Sequence, residues 1–264
     1  LLTAIENGDV ELSFQPYLNL KSGQIAAIDV DVKWQHPIKG IINCSQVFQQ
    51  VSNSQILMSL LQWQISACCN LQKIWYLKGY PEVRIRLLID ERQLLHKDLL
   101  SCLAKGIEST GHVNTNIELV IHDTSLNKNH EQIKRVLVQS GKLGFKTGIL
   151  FSAKGFLPVT TLHDCGIHSL SIVHDAFVPE ADADIQAELI KGFNSLCKAT
   201  NIKLLISGVS SDAQKKLYLK QGIYTLSGSH FSEQQTAKDF ELVLKRFKES
   251  NPANNNQTLI DKTA

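Results

Sequence analysis

Asp29, Asp31 and Lys33 lie two residues apart in a stretch that otherwise resembles an apolar β-strand, with Val30 and Val32 between them. Because successive side chains of a strand point to opposite faces, the two carboxylates and the ammonium group share one face and the valines share the other. Carboxylate oxygens are ligands for hard cations, and an ammonium group attracts phosphates. The pattern predicts either a ligand-binding face or the remnant of one.

A second group of residues could support metal chemistry. His122 and Asp123 follow one predicted strand, and His174 and Asp175 follow another. On a barrel these side chains could converge with Asp29, and a set of histidines and aspartates can hold zinc or manganese. However, the nine histidines are spread over the whole chain, and no H-x-x-H or H-E-x-x-H spacing occurs. Exposed loop histidines are the simpler interpretation.

The polar strand is the second strand of a predicted hairpin. The first strand covers residues 14–20, Lys21-Ser22-Gly23 forms the turn, and the second strand begins at Ile25. A turn this short makes the two strands antiparallel, because a parallel connection needs a crossover of about a dozen residues.

Repeated strand–helix units follow the hairpin. A long helix is predicted from Ser54, as its N-cap, to Lys78, and further strand–helix units with short connections follow. Strands are predicted at 83–89, 117–121, 145–150, 169–173, 203–206 and 224–226, and helices at 45–51, 99–107, 131–143, 153–162, 183–199, 211–221 and 237–247. The order predicts one α/β barrel domain over residues 1–249 and a flexible polar tail over residues 250–264.

Composition narrows the class of protein. The 264 residues are 43% hydrophobic and 20% charged, with a net charge of +2 and scattered lysines and arginines, which argues against a nucleic-acid partner. The six cysteines form no C-x-x-C pair, which favours reduced, buried thiols in a cytoplasmic protein. No apolar run reaches the ~18 residues of a membrane helix, so we expect no membrane contact by this segment. The chain begins without methionine, which suggests the cytosolic domain of a longer, membrane-anchored protein as an alternative.

Several motifs occur in the order and at the spacing of a known family. They are Phe14-Gln15-Pro16, Lys33-Trp34-Gln35-His36-Pro37, Glu91-Arg92-Gln93-Leu94, Ile117-Glu118-Leu119, Gly208-Val209 and Gly228-x-x-Phe231-Ser232. The chain resembles the EAL family, the cyclic di-GMP phosphodiesterase domains, over residues 1–247. The resemblance implies a (β/α)8-type modified TIM barrel with an antiparallel first strand, as the hairpin independently requires. It also implies chemistry at the carboxyl ends of the strands, where two divalent cations would activate a water.

Most positions that the resemblance assigns to metal ligands and catalysis carry other residue types. Asp29 replaces the metal-binding glutamate and is the only near-match. The remaining positions are Leu88, Val120, Leu150, Phe151, Ser171 and Ser207, and the replaced ligand-contacting positions are Ser152, Ser210 and Ser227. Apolar side chains cannot ligate magnesium, and a two-metal site needs several anionic ligands. The resemblance therefore leads us to expect a degenerate domain that is not an enzyme, with no catalytic residues, no metal site and no cofactor.

The residues left for a ligand are few. The resemblance places Gln15 and Lys33 in contact with cyclic di-GMP, and Asp29 and Asp31 lie on the same face. Lys154 could add a second cation, while Phe156 and Phe231 are possible stacking faces. An ion pair between Asp31 and Lys33 would leave the Lys33 ammonium group less able to attract a phosphate.

Three functions follow from these expectations. The first is an inactive signalling module that contacts a protein partner in cyclic di-GMP-related regulation, with a homodimer left open. The alternative is a metal-independent cyclic di-GMP receptor. The third is a metal-dependent phosphodiesterase that is residual or rebuilt on the histidine–aspartate set.

Overall fold

Ten strands form a single sheet in the computed structural model, which describes residues 1–108, 116–127, 129–152, 159–176 and 183–250. The strands are β1 (Val10–Asn19), β2 (Gln24–His36), β3 (Gly40–Asn43), β4 (Ile85–Leu88), β5 (Ile117–His122), β6 (Lys146–Phe151), β7 (Ile167–Val173), β8 (Lys203–Ser207), β9 (Thr225–Leu226) and β10 (Gln235–Thr236). Eight of them close into a barrel in the order β1, β2, β4, β5, β6, β7, β8, β9 and back to β1. Strands β3 and β10 pair on the outside of this ring, with β2 and β1 respectively.

Strand β1 is antiparallel to both of its barrel neighbours, whereas the other seven strands run parallel to one another. The hairpin from β1 to β2 explains this exception. Its turn contains Gly23 at φ 68°, and the Asn19 side chain accepts hydrogen bonds from the backbone N–H groups of Lys21 and Ser22. The predicted modified TIM barrel with an antiparallel first strand is confirmed.

Ten α-helices surround the barrel in the described residues. They are α1 (Leu2–Asn7), α2 (Cys44–Gln50), α3 (Ser54–Leu77), α4 (Glu91–Leu94), α5 (Leu99–Glu108), α6 (His130–Lys142), α7 (Val159–Asp164), α8 (Ala183–Ala199), α9 (Asp212–Lys220) and α10 (Ala237–Ser250). Asn53, rather than the predicted Ser54, caps α3 by accepting hydrogen bonds from the N–H groups of Gln55 and Ile56. Such side-chain caps satisfy backbone donors that the first helical turn leaves unpaired.

The core has two layers of different character. The layer between the sheet and the helices is apolar and includes Val30 and Val32, which are 4% and 0% exposed. Inside the barrel, Tyr17, Ala27 and Leu205 form a small apolar cluster. Buried polar and charged side chains, among them Arg86, Glu118 and Ser171, lie in the same interior, so it differs from a hydrocarbon core and requires internal partners.

The short strand β3 was not predicted, because its four residues carry too little periodicity to be recognised. All six cysteines are buried and unbridged, as the sequence indicated. None of the described helices combines the length and apolar composition needed to cross a bilayer. The domain boundary at residue 249 stays a prediction, and the predicted tail beyond Ser250 lies outside the described residues.

Candidate functional site

Asp29 lies near the carboxyl-terminal mouth of the barrel, where two neighbouring strands hold its carboxylate. Its Oδ1 accepts a hydrogen bond of 2.7 Å from Arg86 Nη1 on β4, and its Oδ2 accepts one of 2.9 Å from the Tyr17 hydroxyl on β1. The Asp29 side chain is 42% exposed, whereas that of Arg86 is 1% exposed. One carboxylate therefore faces both the solvent at the mouth and a buried cation beneath it.

Arg86 connects four strands through its guanidinium group. Besides Asp29, its Nη2 donates a hydrogen bond of 2.8 Å to Ser171 Oγ on β7, and its Nε lies 3.6 Å from Glu118 Oε2 on β5. The guanidinium carbon also lies 5.1 Å from the centre of the Tyr17 ring. A charge buried this deeply persists only when it is paired and hydrogen-bonded, and this arrangement supplies both.

The pKa values of the pair reflect this environment. Partial removal from water raises the pKa of Asp29, and the neighbouring Arg86 charge and the Tyr17 hydrogen bond oppose that rise. Burial acts to lower the pKa of Arg86, but Asp29, Tyr17 and Glu118 act against it and the net shift is upward. The guanidinium group is therefore a permanent cation inside the barrel.

Asp31 and Lys33, whose spacing would permit an ion pair, do not form one among the described contacts. The Asp31 Oδ1 accepts hydrogen bonds of 2.7 Å and 3.0 Å from the backbone N–H groups of Val32 and Cys44, at the start of α2. Burial raises the pKa of Asp31, and these two backbone donors act against the rise. The partly exposed Lys33 makes no ion pair with Asp31 or with its cross-strand partner Glu11 among the described contacts, although its charge acts on the Asp31 carboxylate.

Gln15 lies directly opposite Asp29 in the register of β1 and β2. Its Nε2 donates a hydrogen bond of 2.8 Å to the backbone oxygen of Ser232, which fixes the side chain at the mouth. Phe231 is partly buried against the core, with its ring 5.0 Å from that of His230. Lys154 and Phe156 lie outside the described residues.

The residues at this mouth do not fit the two-metal set that the resemblance implies. The described residues contain no group of three or more histidine, cysteine, aspartate or glutamate side chains that could hold a metal ion. Both oxygens of Asp29 already accept hydrogen bonds, and Val120, at one of the implied ligand positions, is an apolar side chain buried in the barrel wall. Hard divalent cations need oxygen ligands, and the described residues of this mouth do not supply the number that two such ions require.

The histidine–aspartate set is not brought together in the described part of the chain. Asp123 is fully buried, and its Oδ1 accepts a hydrogen bond of 2.7 Å from the Ser152 hydroxyl. The Nδ1 atom of His174 lies 2.7 Å from the Tyr218 hydroxyl, and burial lowers the pKa of both His122 and His174. These residues support the loops at the ends of β5 to β7, and the structure does not assemble the alternative metal site.

Sequence reasoning missed Arg86 and Tyr17 as parts of the site. A signal was present, because Arg86 interrupts an apolar strand and Glu118 occupies the paired position of the next strand, where opposite charges face each other. The resemblance drew attention to the positions of the family motifs, and Arg86 is not one of them.

Comparison with known proteins shows which family the chain belongs to. Residues 1–234 match the sequence model of the EAL domain family. The cyclic di-GMP phosphodiesterase PdeR of Escherichia coli K12 is 22% identical over 248 residues, which is 94% of this chain and 37% of that protein. The bifunctional diguanylate cyclase/cyclic di-GMP phosphodiesterase MucR of Pseudomonas aeruginosa is 18% identical over 86% of this chain and 33% of its own length. The chain thus spans about a third of the length of these curated relatives.

Solved structures share the fold. The phosphodiesterase PaMucR in complex with c-di-GMP superposes with a TM-score of 0.82 at 19% identity, covering 90% of this chain and 97% of that one. The FimX EAL domain from Pseudomonas aeruginosa bound to c-di-GMP gives a TM-score of 0.75 at 14% identity, covering 89% of this chain and 94% of that one. At sequence identities this low, the structural similarity shows a shared barrel fold and nothing about function.

The expectation that the chain is not an enzyme is contradicted by these relatives. It rested on the replaced side chains, whereas PdeR and MucR, two curated relatives that match most of the chain, bear the names of phosphodiesterases. Replaced side chains alone do not show that an activity has been lost, and they do not show that the domain is degenerate.

Proposed function

Because the chain belongs to the EAL domain family, we propose that it acts in cyclic di-GMP signalling by binding the cyclic dinucleotide at the carboxyl-terminal mouth of its barrel. The observation that carries the proposal is the unpaired Lys33 ammonium group, on the strand face that also bears Asp29 and Asp31. A phosphodiester needs a cation, and Lys33 is available because Asp31 is engaged by backbone donors. Two structural neighbours are complexes with c-di-GMP, which supports the choice of ligand.

The four predicted ligand residues have distinct roles in this proposal. Lys33 contacts a phosphate, while the Gln15 side chain, held by Ser232, offers its remaining amide groups to the nucleotide. Asp29 accepts a hydrogen bond from a ribose hydroxyl or a guanine N–H. Asp31 holds the start of α2 and shapes the rim rather than contacting the ligand.

Calorimetric titration with cyclic di-GMP, in chelator and in magnesium, tests the proposal. We expect Lys33→Ala to weaken binding by roughly tenfold, because a hydrogen bond to a charged group is worth ~1.5–3 kcal/mol. Lys191→Ala is the matched control, since Lys191 is an exposed lysine on α8 that pairs with Glu188. Equal affinity of the Lys33→Ala and Lys191→Ala variants would contradict this assignment.

Turnover is measured in the same samples, by following the linear dinucleotide with magnesium and with manganese. Appearance of the linear product would add hydrolysis to the proposed site without altering the binding test. The predicted protein partner and the homodimer stay predictions.

A further inference from the structure

The amino-terminal mouth of the barrel, opposite the proposed nucleotide site, is lined by basic side chains. Arg84 precedes β4, Lys146 begins β6, His168 lies in β7, and Lys203 begins β8. Arg84 and Lys203 lie two residues before Arg86 and Leu205, which face the barrel interior, so strand alternation directs them to the same interior. Four neighbouring segments therefore place a positively charged or titratable group at one end of the barrel.

The pairing of the strands also places Lys146, and again Lys203, inside this end of the barrel. Lys146 pairs with Glu118, whose carboxylate lies inside the barrel, and Lys203 pairs with Ser169, whose hydroxyl donates to that carboxylate. His168 lies at the register shift between β6 and β7, where β7 carries one extra residue. The charges of Arg84, Lys146 and Lys203 all act on its imidazole ring.

The positive charge of this group, hereafter the basic mouth (Arg84, Lys146, His168 and Lys203), is only partly compensated. Glu118 is the carboxylate that lies against it, with Oε2 at 3.9 Å from Arg84 Nη1. The same carboxylate is shared with Arg86. The described residues give no ion pair to the ammonium groups of Lys146 and Lys203, and burial followed by the neighbouring arginine lowers the pKa of both.

Two side-chain nitrogen atoms of the basic mouth are buried without a hydrogen-bond partner in the described structure. They are Arg84 Nε and His168 Nε2. A buried donor left unpaired destabilises the fold, and a like-charged cluster adds repulsion to that cost. An anion bound among these groups would satisfy the donors and offset the repulsion at the same time.

We propose that the basic mouth binds an oxyanion of the phosphate class, at a site separate from the nucleotide site at the other end of the barrel. These side chains match a phosphate, because an arginine offers a planar fork of donors, lysines offer point charges and a neutral imidazole can offer one N–H donor. The anion is either free inorganic phosphate or pyrophosphate, or the phosphate group of a small metabolite that reaches in from solvent.

Thermal unfolding at constant ionic strength, with chloride exchanged for phosphate or pyrophosphate, tests this site. We expect either anion to raise the unfolding midpoint of the unaltered chain. Lys203→Gln should weaken the binding at least tenfold by calorimetry and should raise the midpoint of the anion-free protein, because one like charge is removed. Lys203 is exposed, so its replacement leaves the fold intact, and Lys146→Gln provides a second variant with the same expectation.

Controls separate this site from the nucleotide site and identify the source of the phosphate. Lys191→Gln and Lys33→Ala should respond to phosphate as the unaltered chain does. Adenosine monophosphate tests whether a phosphate carried by a larger molecule enters: binding supports a metabolite, and binding of the inorganic anions alone supports free phosphate. An absent response, or an equal response in Lys203→Gln, would overturn the proposal.

The His168 imidazole gives an independent readout. In the anion-free protein, burial and the three neighbouring cations lower the pKa of His168 to about 4. A bound phosphate would raise that pKa, which an NMR titration of the imidazole measures. An unchanged His168 pKa at saturating phosphate would also contradict the site.

Discussion

The charged side chains at the two ends of the barrel differ in how far they are paired. Towards the carboxyl-terminal mouth, the Asp29 carboxylate is matched by the Arg86 guanidinium group, which reaches across to Ser171 and Glu118. At the amino-terminal mouth, Lys146 and Lys203 have no ion-pair partner among the described residues. Charge that is paired inside the barrel mainly stabilises the fold, whereas charge left unpaired at a mouth is available to a ligand.

Removing the Arg86 guanidinium group should lower the free energy of unfolding more than any other substitution proposed here. Arg86→Met leaves Asp29 and Glu118 near each other without their shared cation, and breaking a buried pair in this way costs about 3–5 kcal/mol. We expect urea unfolding to show a loss of this size. Asp29→Asn, which leaves an accepting oxygen at a partly exposed position, should cost less. A loss below about 1 kcal/mol for Arg86→Met would mean that the pairing contributes little to stability.

Gly148 tests how closely the interior is packed around Glu118. A Cβ atom at this position would lie 2.5 Å from Glu118 Oε1 and 2.8 Å from Ser169 Oγ. Gly148→Ala should therefore destabilise the fold by about 1–3 kcal/mol, because the carboxylate must move from its hydrogen bond.

The matched control for this substitution is Gly141→Ala on α6. A Cβ atom at Gly141 meets no other group within 4 Å. The control should stabilise the fold by about 0.5–1 kcal/mol, because alanine favours a helix. Equal effects of the two alanines in chemical denaturation would contradict close packing at Gly148.

A further small effect is expected in the pH dependence of the fold's stability, which arises at the basic mouth. His168 has its folded-state pKa lowered to about 4, whereas the unfolded chain binds a proton near pH 6.5. The unfolded state therefore binds more protons between these values, and stability falls as the pH drops from about 6.5 to 4. Because the ring is partly exposed, we expect about 1 kcal/mol. The unfolding midpoint of His168→Gln should depend less on pH in this window, and identical curves would contradict the assignment.

Local rules in the sequence predicted a good part of this molecule. The alternation from Asp29 to Lys33 correctly placed the valines against the helices and the charged residues on the other face, because a strand has a period of two. The short turn at Gly23 required an antiparallel hairpin. Asp90 directly follows β4 and is a residue type that favours a helix N-cap, and it accepts a hydrogen bond from the Arg92 N–H at the start of α4.

The pairing of those charged residues could not be predicted in the same way. Spacing would permit an ion pair between Asp31 and Lys33, but Asp31 accepts hydrogen bonds from the backbone at the start of α2, 13 residues further along the chain. Lys33 was left unpaired by that contact, which is why it becomes the cation of the proposed nucleotide site.

The sequence by itself determined which faces are polar and how neighbouring strands run, since these follow from local geometry. The tertiary structure alone decided which charges meet. Arg86 and Asp29 lie 57 residues apart, and Arg86 and Ser171 lie 85 residues apart. Closure of the barrel brings these strands around one interior, and the cost of an unpaired buried charge then selects the partners.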